Sequence, residues 1–203
     1  MVKTVSQLVK LENPNPVLDS CPICLSGKIK FFVNAYQFDI SSCMDCGLLF
    51  CNPYPTQEQI HGYYNSEMKS FENEFFRDSF EKRINIFLPR IELVKKYKAH
   101  GKLLDVGSAI GIFIEALHRA KAPFDLACCD ISEEACKELG ERYPDLEVFH
   151  KDYLGLDVET QFDVITLWDT LEHIVDSKSL LQKTYHLLKD DGIFVFSTPN
   201  TDS

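Results

Sequence analysis

The stretch Leu103-Leu104-Asp105-Val106-Gly107-Ser108-Ala109-Ile110-Gly111-Ile112-Phe113 decides the fold. A short apolar run carries an acidic residue near its end. Small residues follow at every second position (Gly107, Ala109 and Gly111), and an apolar-periodic stretch then continues to Ala122. This order reads as a buried strand, a tight turn and a helix whose N-terminus points back over the strand end. The small residues let the backbone approach a ligand closely, and the free amides at the helix start favour an anionic group. A cofactor with a nucleoside and a negatively charged end is expected there.

Downstream, strand and helix alternate. Phe124 to Cys129 reads as a strand ending at Asp130, and Ser132 caps a helix through Ala135 and Leu139. Strands follow at Leu146 to His150 and at Phe162 to Leu167. A helix then opens at Asp176 or Ser177 and runs to about Lys189. Asp190-Asp191-Gly192 turns the chain into a last strand, Ile193 to Ser197. Near-continuous apolar strands alternating with helices predict an α/β fold, a Rossmann-like parallel sheet covered on both faces, with strand order 3-2-1-4-5.

The chain has 203 residues, of which 45% are hydrophobic, enough for one medium domain and a small attachment. No apolar run approaches the roughly 20 residues that span a bilayer. The opening MVKTVSQLVKLENPNP lacks the apolar core and cleavage site of a signal peptide. The expectation is a cytoplasmic protein with reduced thiols and no membrane partner. A net charge of -10 argues against a nucleic-acid partner, which usually demands a basic footprint.

Cys21-Pro22-Ile23-Cys24 and Cys43-Met44-Asp45-Cys46-Gly47 form two C-x2-C pairs separated by residues 25 to 42, a spacing expected for a four-cysteine zinc site. Gly47 can supply the positive φ such knuckles want. Residues 28–33 and 36–40 read as a hairpin between them, making residues 1–51 a zinc ribbon. Four thiolates complete a tetrahedral shell, so this zinc would be structural. Two disulfides or unrelated buried cysteines are the competing readings. Cys51, Cys128, Cys129 and Cys136 stand outside the pattern.

Residues 52–99 read as a helical connector. After Asn52-Pro53-Tyr54-Pro55, Thr56 caps a helix that carries Tyr63 and Tyr64. From Phe71 through Phe75, Phe76, Phe80, Ile84, Phe87, Ile91 and Val94 an apolar stripe runs at helical spacing, with a kink or break expected at Pro89. Core packing explains such a stripe; a lid over the cofactor, with Tyr63 or Tyr64 reaching the site, is the competing reading.

The turn is not the dinucleotide fingerprint, since Ile112 stands where its last glycine belongs. It is also not a phosphate-cradling loop, because no Lys-Ser/Thr follows Gly111. With Asp130 at the next strand end, the stretches LLDVGSAIG, CCDIS, Lys151-Asp152, FDVITLWDTLEHI and LLKDDGIFVFSTPN together resemble the class I S-adenosylmethionine-dependent methyltransferases. The N-terminal part resembles a subgroup in which a C-x2-C…C-x2-CG ribbon precedes an N-P-x-P segment and a Tyr-Tyr helix. The resemblance implies that Gly107, Ser108, Ala109 and Gly111 line the methionine and ribose, with Asp105 near the amino end. It further implies that Asp130 holds the ribose hydroxyls, Ile131 packs on adenine, and Asp152 with Tyr153 meets the adenine edge. Trp168 and Asp169 would face the sulfonium. Ala109 departs from the family, which usually has glycine there. His173, after Glu172, is the candidate general base, with capping or loop orientation as its alternative role. Such a protein would methylate a small molecule, a sugar or another biosynthetic intermediate. An RNA methyltransferase and a non-catalytic cofactor-binding scaffold are the alternatives.

The family's sheet continues past its fifth strand with an antiparallel hairpin, whereas this sequence stops at Ser203. The expectation is that residues 100–203 form a cofactor-binding core with that hairpin missing. Its sheet would be completed by further C-terminal residues or by a partner.

Overall fold

The computed structural model describes residues 15–35, 38–64 and 75–200, apart from the side chains of Tyr63 and Tyr64. Tyr36 and Gln37 of the expected hairpin, Phe71 of the aromatic stripe, and the tyrosine contacts expected of a lid lie outside the described residues. The chain divides between residues 66 and 67 into two compact units.

The first unit holds an antiparallel sheet of β1 (Ile29–Ala35), β2 (Phe38–Cys43) and β3 (Leu49–Cys51), in that spatial order. Three residues are too few to show a periodicity, so β3 was not legible in the sequence; Leu49, Phe50 and Cys51 pair with Ser42, Ser41 and Ile40. Both cysteine pairs close the same turn. The Leu25 amide donates to the Cys21 carbonyl and the Gly47 amide to that of Cys43, each at 3.0 Å. The turns end in left-handed residues, Leu25 at φ 61° and Gly47 at φ 77°. Gly47 does this without penalty, whereas a side chain there costs Leu25 about 1 kcal/mol. Helix α1 (Gln57–Tyr64) starts with a capping box. The Gln59 amide donates to Thr56 Oγ1 at 3.3 Å, and the Thr56 amide donates to Gln59 Oε1 at 3.0 Å.

The second unit runs α2 (Phe80–Tyr97), β4 (Gly101–Val106), α3 (Ile112–Arg119), β5 (Phe124–Asp130), α4 (Glu133–Arg142), β6 (Glu147–His150), β7 (Phe162–Trp168), α5 (Ser177–Leu187) and β8 (Leu188–Ser197). The strands lie in the order β6-β5-β4-β7-β8, every neighbour parallel, which is the expected 3-2-1-4-5 sheet. On one face, Ile84, Ile91 and Val94 of α2 pack with Phe113, Ala116 and Leu117 of α3 over Leu103 and Val164. On the other, Leu180 and Leu187 of α5 cover Leu104, Val106, Ile165 and Leu167. Burial on both faces is why these strands read as unbroken apolar runs.

Two boundaries differ from the expectation. Pro89 does not break α2, which continues through it. Pro89 and Asn85, whose carbonyl loses its partner, both lie on the exposed face, where water can satisfy that carbonyl. The chain bends instead at Ser79, whose hydroxyl donates to the Phe75 carbonyl at 2.9 Å. Nor does Asp190-Asp191-Gly192 precede the last strand. Helix α5 ends at Leu187, and β8 begins at once with a bulge between the pairs Phe162–Leu188 and Val164–Ile193. Asp163 organises the bulge: Lys189 Nζ donates to its Oδ2 at 2.8 Å, and Lys98 Nζ lies 3.3 Å from its Oδ1 and 2.7 Å from Asp191 Oδ2.

Candidate active site

β4 ends in a turn built from three left-handed residues, Gly107 at φ 72°, Ala109 at φ 46° and Gly111 at φ 78°. The Gly107 amide donates to the Cys129 carbonyl at 2.8 Å and the Gly111 amide to that of Ser108 at 2.9 Å, so α3 starts directly above the end of β4. Asp130, at the end of β5, ties the turn to α4. Its Oδ2 accepts the Ala109 amide and its Oδ1 the Ser132 amide, both at 2.8 Å. The reason for the small residues is more specific than ligand approach alone. A side chain at Gly107 would run into Thr170 and one at Gly111 into Leu139, so both glycines are already required by the protein's own packing.

Beneath the turn, Asp105 is 2% exposed and accepts the Thr166 hydroxyl at 2.7 Å. Burial drives its pKa up to about 7. The Thr166 hydrogen bond works against that rise, and the Asp130 charge adds to it. Among the described residues, the Ser108 hydroxyl and the Trp168 indole N–H are buried without a hydrogen-bond partner. Trp168 closes an aromatic cluster at the end of β7, its ring 5.9 Å from Phe87 and 5.1 Å from Phe113. The Arg90 guanidinium lies 4.9 Å over the indole and 5.0 Å over Phe87. Arg90 has no ion pair among the described residues, and the sequence reading missed it. The only signal was a cation placed between Phe87 and Ile91 in an apolar stripe.

The other residues singled out from sequence separate into two groups. Ile131 follows Asp130 directly, and its carbonyl lies 3.1 Å from His150 Nε2. Asp152 caps a 3-10 turn, accepting the Leu154 amide at 2.8 Å. Asp169 takes a left-handed conformation, φ 51°, and accepts the Ser197 hydroxyl at 2.8 Å across the ends of β7 and β8. His173 ends the 3-10 turn Leu171–His173; its side chain is largely exposed, with Nε2 4.0 Å from Glu172 Oε1. Tyr153 does not join them. Its ring is buried in the core under α5 and its hydroxyl is bonded to Thr184 Oγ1 at 2.9 Å, so it presents no edge to a ligand.

In the first unit the Sγ atoms of Cys21, Cys24, Cys43 and Cys46 all lie within 4.8 Å of one another. Cys21 and Cys46 approach to 3.7 Å, Cys24 and Cys43 to 3.5 Å. Tetrahedral zinc with Zn–S bonds of about 2.3 Å separates its sulfurs by about 3.8 Å, so the donor set suits one such ion.

Comparison with known proteins adds three findings. A methyltransferase-domain family model matches residues 77–203. The ubiquinone biosynthesis O-methyltransferase of Actinobacillus pleuropneumoniae serotype 7 (strain AP76) is 35% identical over 134 residues, covering 59% of this chain and 56% of its own. That of Pseudomonas putida (strain W619) is 32% identical over 124 residues, covering 58% and 50%. The chain thus spans about half the length of these curated relatives. Among solved structures, the plantazolicin methyltransferase BpumL in complex with SAH superposes with a TM-score of 0.60 at 18% identity, over 72% of this chain and 59% of that one. The PH0226 protein of Pyrococcus horikoshii OT3 superposes with a TM-score of 0.52 at 23% identity, over 68% and 58%. Both likenesses are of fold.

Proposed function

Because this chain belongs to the methyltransferase-domain family, we propose that it transfers a methyl group from S-adenosylmethionine to a small molecule. The observation that carries the reading is the left-handed turn of residues 107–111, joined to Asp130 and bordered by two buried donors, Ser108 Oγ and Trp168 Nε1, that have no partner among the described residues. Each such donor costs about 1–3 kcal/mol unless a polar ligand completes it.

The residues suit this cofactor. Gly107, Ser108, Ala109 and Gly111 would line its methionine and ribose. Asp105 would stand near the amino group, and Arg90, which has no ion pair among the described residues, would meet the carboxylate. Asp130 would hold the ribose hydroxyls, since each of its oxygens accepts one amide and keeps a second lone pair. Ile131 would pack on adenine, with Asp152 at its edge, while Trp168 and Asp169 would border the sulfonium. The bound cofactor supplies a methyl group on a sulfonium. The chain's own task is then to align the acceptor and take its proton. His173, beside Glu172 in the loop after β7, would be that base.

A small acceptor suits a protein of net charge -10, which would repel a polyanion. The names of the curated relatives, ubiquinone biosynthesis O-methyltransferases, also favour one. A sugar or another biosynthetic intermediate is the proposed class. In the first unit, Cys21, Cys24, Cys43 and Cys46 would hold a structural zinc with no open coordination position. Four cysteines kept unoxidised to bind a metal suit a reducing compartment, which makes the cytoplasm the proposed location. Among the described residues no helix is long and apolar enough to cross a membrane.

Isothermal titration with S-adenosylmethionine and with NAD tests the reading. Binding of the first alone is expected, and D130A is expected to abolish it. Absence of binding by zinc-loaded protein would overturn the reading, binding without methyl transfer to any acceptor would favour the scaffold role, and salt-sensitive RNA binding would favour the RNA enzyme.

A further inference from the structure

Helix α4 grips the turn with two side chains spaced three residues apart, on one helix face. Leu139 fills the space beside Gly111, and Arg142 Nη1 donates to the Ile110 carbonyl at 3.3 Å. The guanidinium is itself held in place. It pairs with Glu138 and lies 5.4 Å over the Phe80 ring and 5.9 Å over the Tyr143 ring. Glu138 in turn pairs with Arg77 at 2.8 Å.

Ile110 stands between Ala109 and Gly111, both left-handed. Glycine takes that conformation freely. Alanine does so at a cost of about 1–2 kcal/mol, because its Cβ crowds the following carbonyl. A strained residue persists where its surroundings over-determine it. Here two polar contacts hold the peptide groups at the two ends of the Ala109–Ile110 segment: Asp130 accepts the Ala109 amide, and Arg142 donates to the Ile110 carbonyl.

We infer that Arg142 is a positioning residue of the turn, holding the Ile110 carbonyl so that Ala109 keeps the left-handed conformation its methyl group resists. Its consequence for ligand binding rests on the cofactor reading above; its geometry does not. Arg142 and Ala109 should therefore be coupled, and glycine at 109 should make the arginine dispensable.

The test is a double-mutant cycle of R142M and A109G with two readouts. In ligand-free protein, R142M is expected to speed amide hydrogen exchange of the hydrogen-bonded Ala109 and Gly111 about tenfold, and adding A109G to remove most of that gain. For S-adenosylhomocysteine, R142M is expected to raise the Kd about tenfold, the value of one charge-assisted hydrogen bond, and the double variant to recover to within about threefold of the parent. Native-like exchange in R142M, or equal losses with and without A109G, would overturn the inference. If the parent protein fails to bind, the cofactor reading falls while the exchange data still decide the role of Arg142. Should R142M not fold, E138Q loosens the guanidinium's anchor, and the same rescue by A109G is expected on a smaller scale.

Discussion

Thr170, in the loop after β7, occupies the space that a side chain on Gly107, in the turn after β4, would need. These two loops leave the sheet where its strand order reverses, between β4 and β7, which is where open α/β sheets form their ligand crevice. The two walls of that crevice therefore touch at Gly107 and Thr170, and Thr170 is fixed there by donating its hydroxyl to the Trp168 carbonyl at 3.2 Å.

Gly107→Ala should be among the most damaging single changes in this unit. It combines a left-handed alanine with a clash against a held side chain, together about 3 kcal/mol. Thermal denaturation should show the loss, and T170A in the same chain should restore part of it. Full stability of G107A alone would contradict the packing described.

Asp163 sets an acid limit on stability. Burial would raise its pKa, but Lys189, the Lys102 amide and Lys98 together hold it down at about 2. A carboxylate depressed in the folded state contributes stability that is complete above its unfolded pKa of about 4 and is lost as pH falls toward 2. Urea unfolding should place D163N about 2 kcal/mol below the native protein at pH 7, with the gap closing by pH 2.

Asp105 has the opposite sign. With a folded pKa raised to about 7, its contribution is complete below the unfolded value near 4 and is lost as pH rises through 7. D105N should therefore gain stability relative to the native protein as pH rises from about 4 to about 7. It should also bind S-adenosylmethionine more weakly, because the carboxylate proposed to face the amino group is gone. A D105N protein whose relative stability is flat with pH would refute this.

Elemental analysis should find one zinc per chain, and C43S should lower that content sharply. Chelation should unfold the cysteine-bearing unit, and far-UV circular dichroism should retain the helix signal of residues 75–200.

Once an acceptor is identified, H173A should lower kcat about 100-fold or more, with little change in the affinity for S-adenosylmethionine. A variant with normal kcat would leave His173 as a loop-orienting residue.

Most of the fold was legible because its signals are local. The apolar runs of β4, β5 and β7, the Ser132 cap, the two C-x2-C pairs and the spacing of Gly107, Ala109 and Gly111 each sit within a few residues of one another. The misses have physical causes too. β3 is too short to carry a pattern. Pro89 lies on a face where a lost hydrogen bond costs little, and the β8 bulge depends on Lys98 and Asp163, far from it in sequence.

By itself the sequence determined the order of most elements, the parallel sheet, the cysteine cluster and the place of the left-handed turn after β4, because hydrophobic period and turn chemistry are written in neighbouring residues. Only the tertiary structure decided which side chains hold that turn and which face the crevice. Thr170 against Gly107, Leu139 against Gly111, Arg142 on Ile110 and Arg90 on Trp168 all join residues of different elements. Tyr153, adjacent to Asp152, turns into the core because Thr184, thirty-one residues later, offers its hydroxyl a partner there. The direction of a side chain at a strand end is set by what packs against it, and that partner comes from another part of the chain.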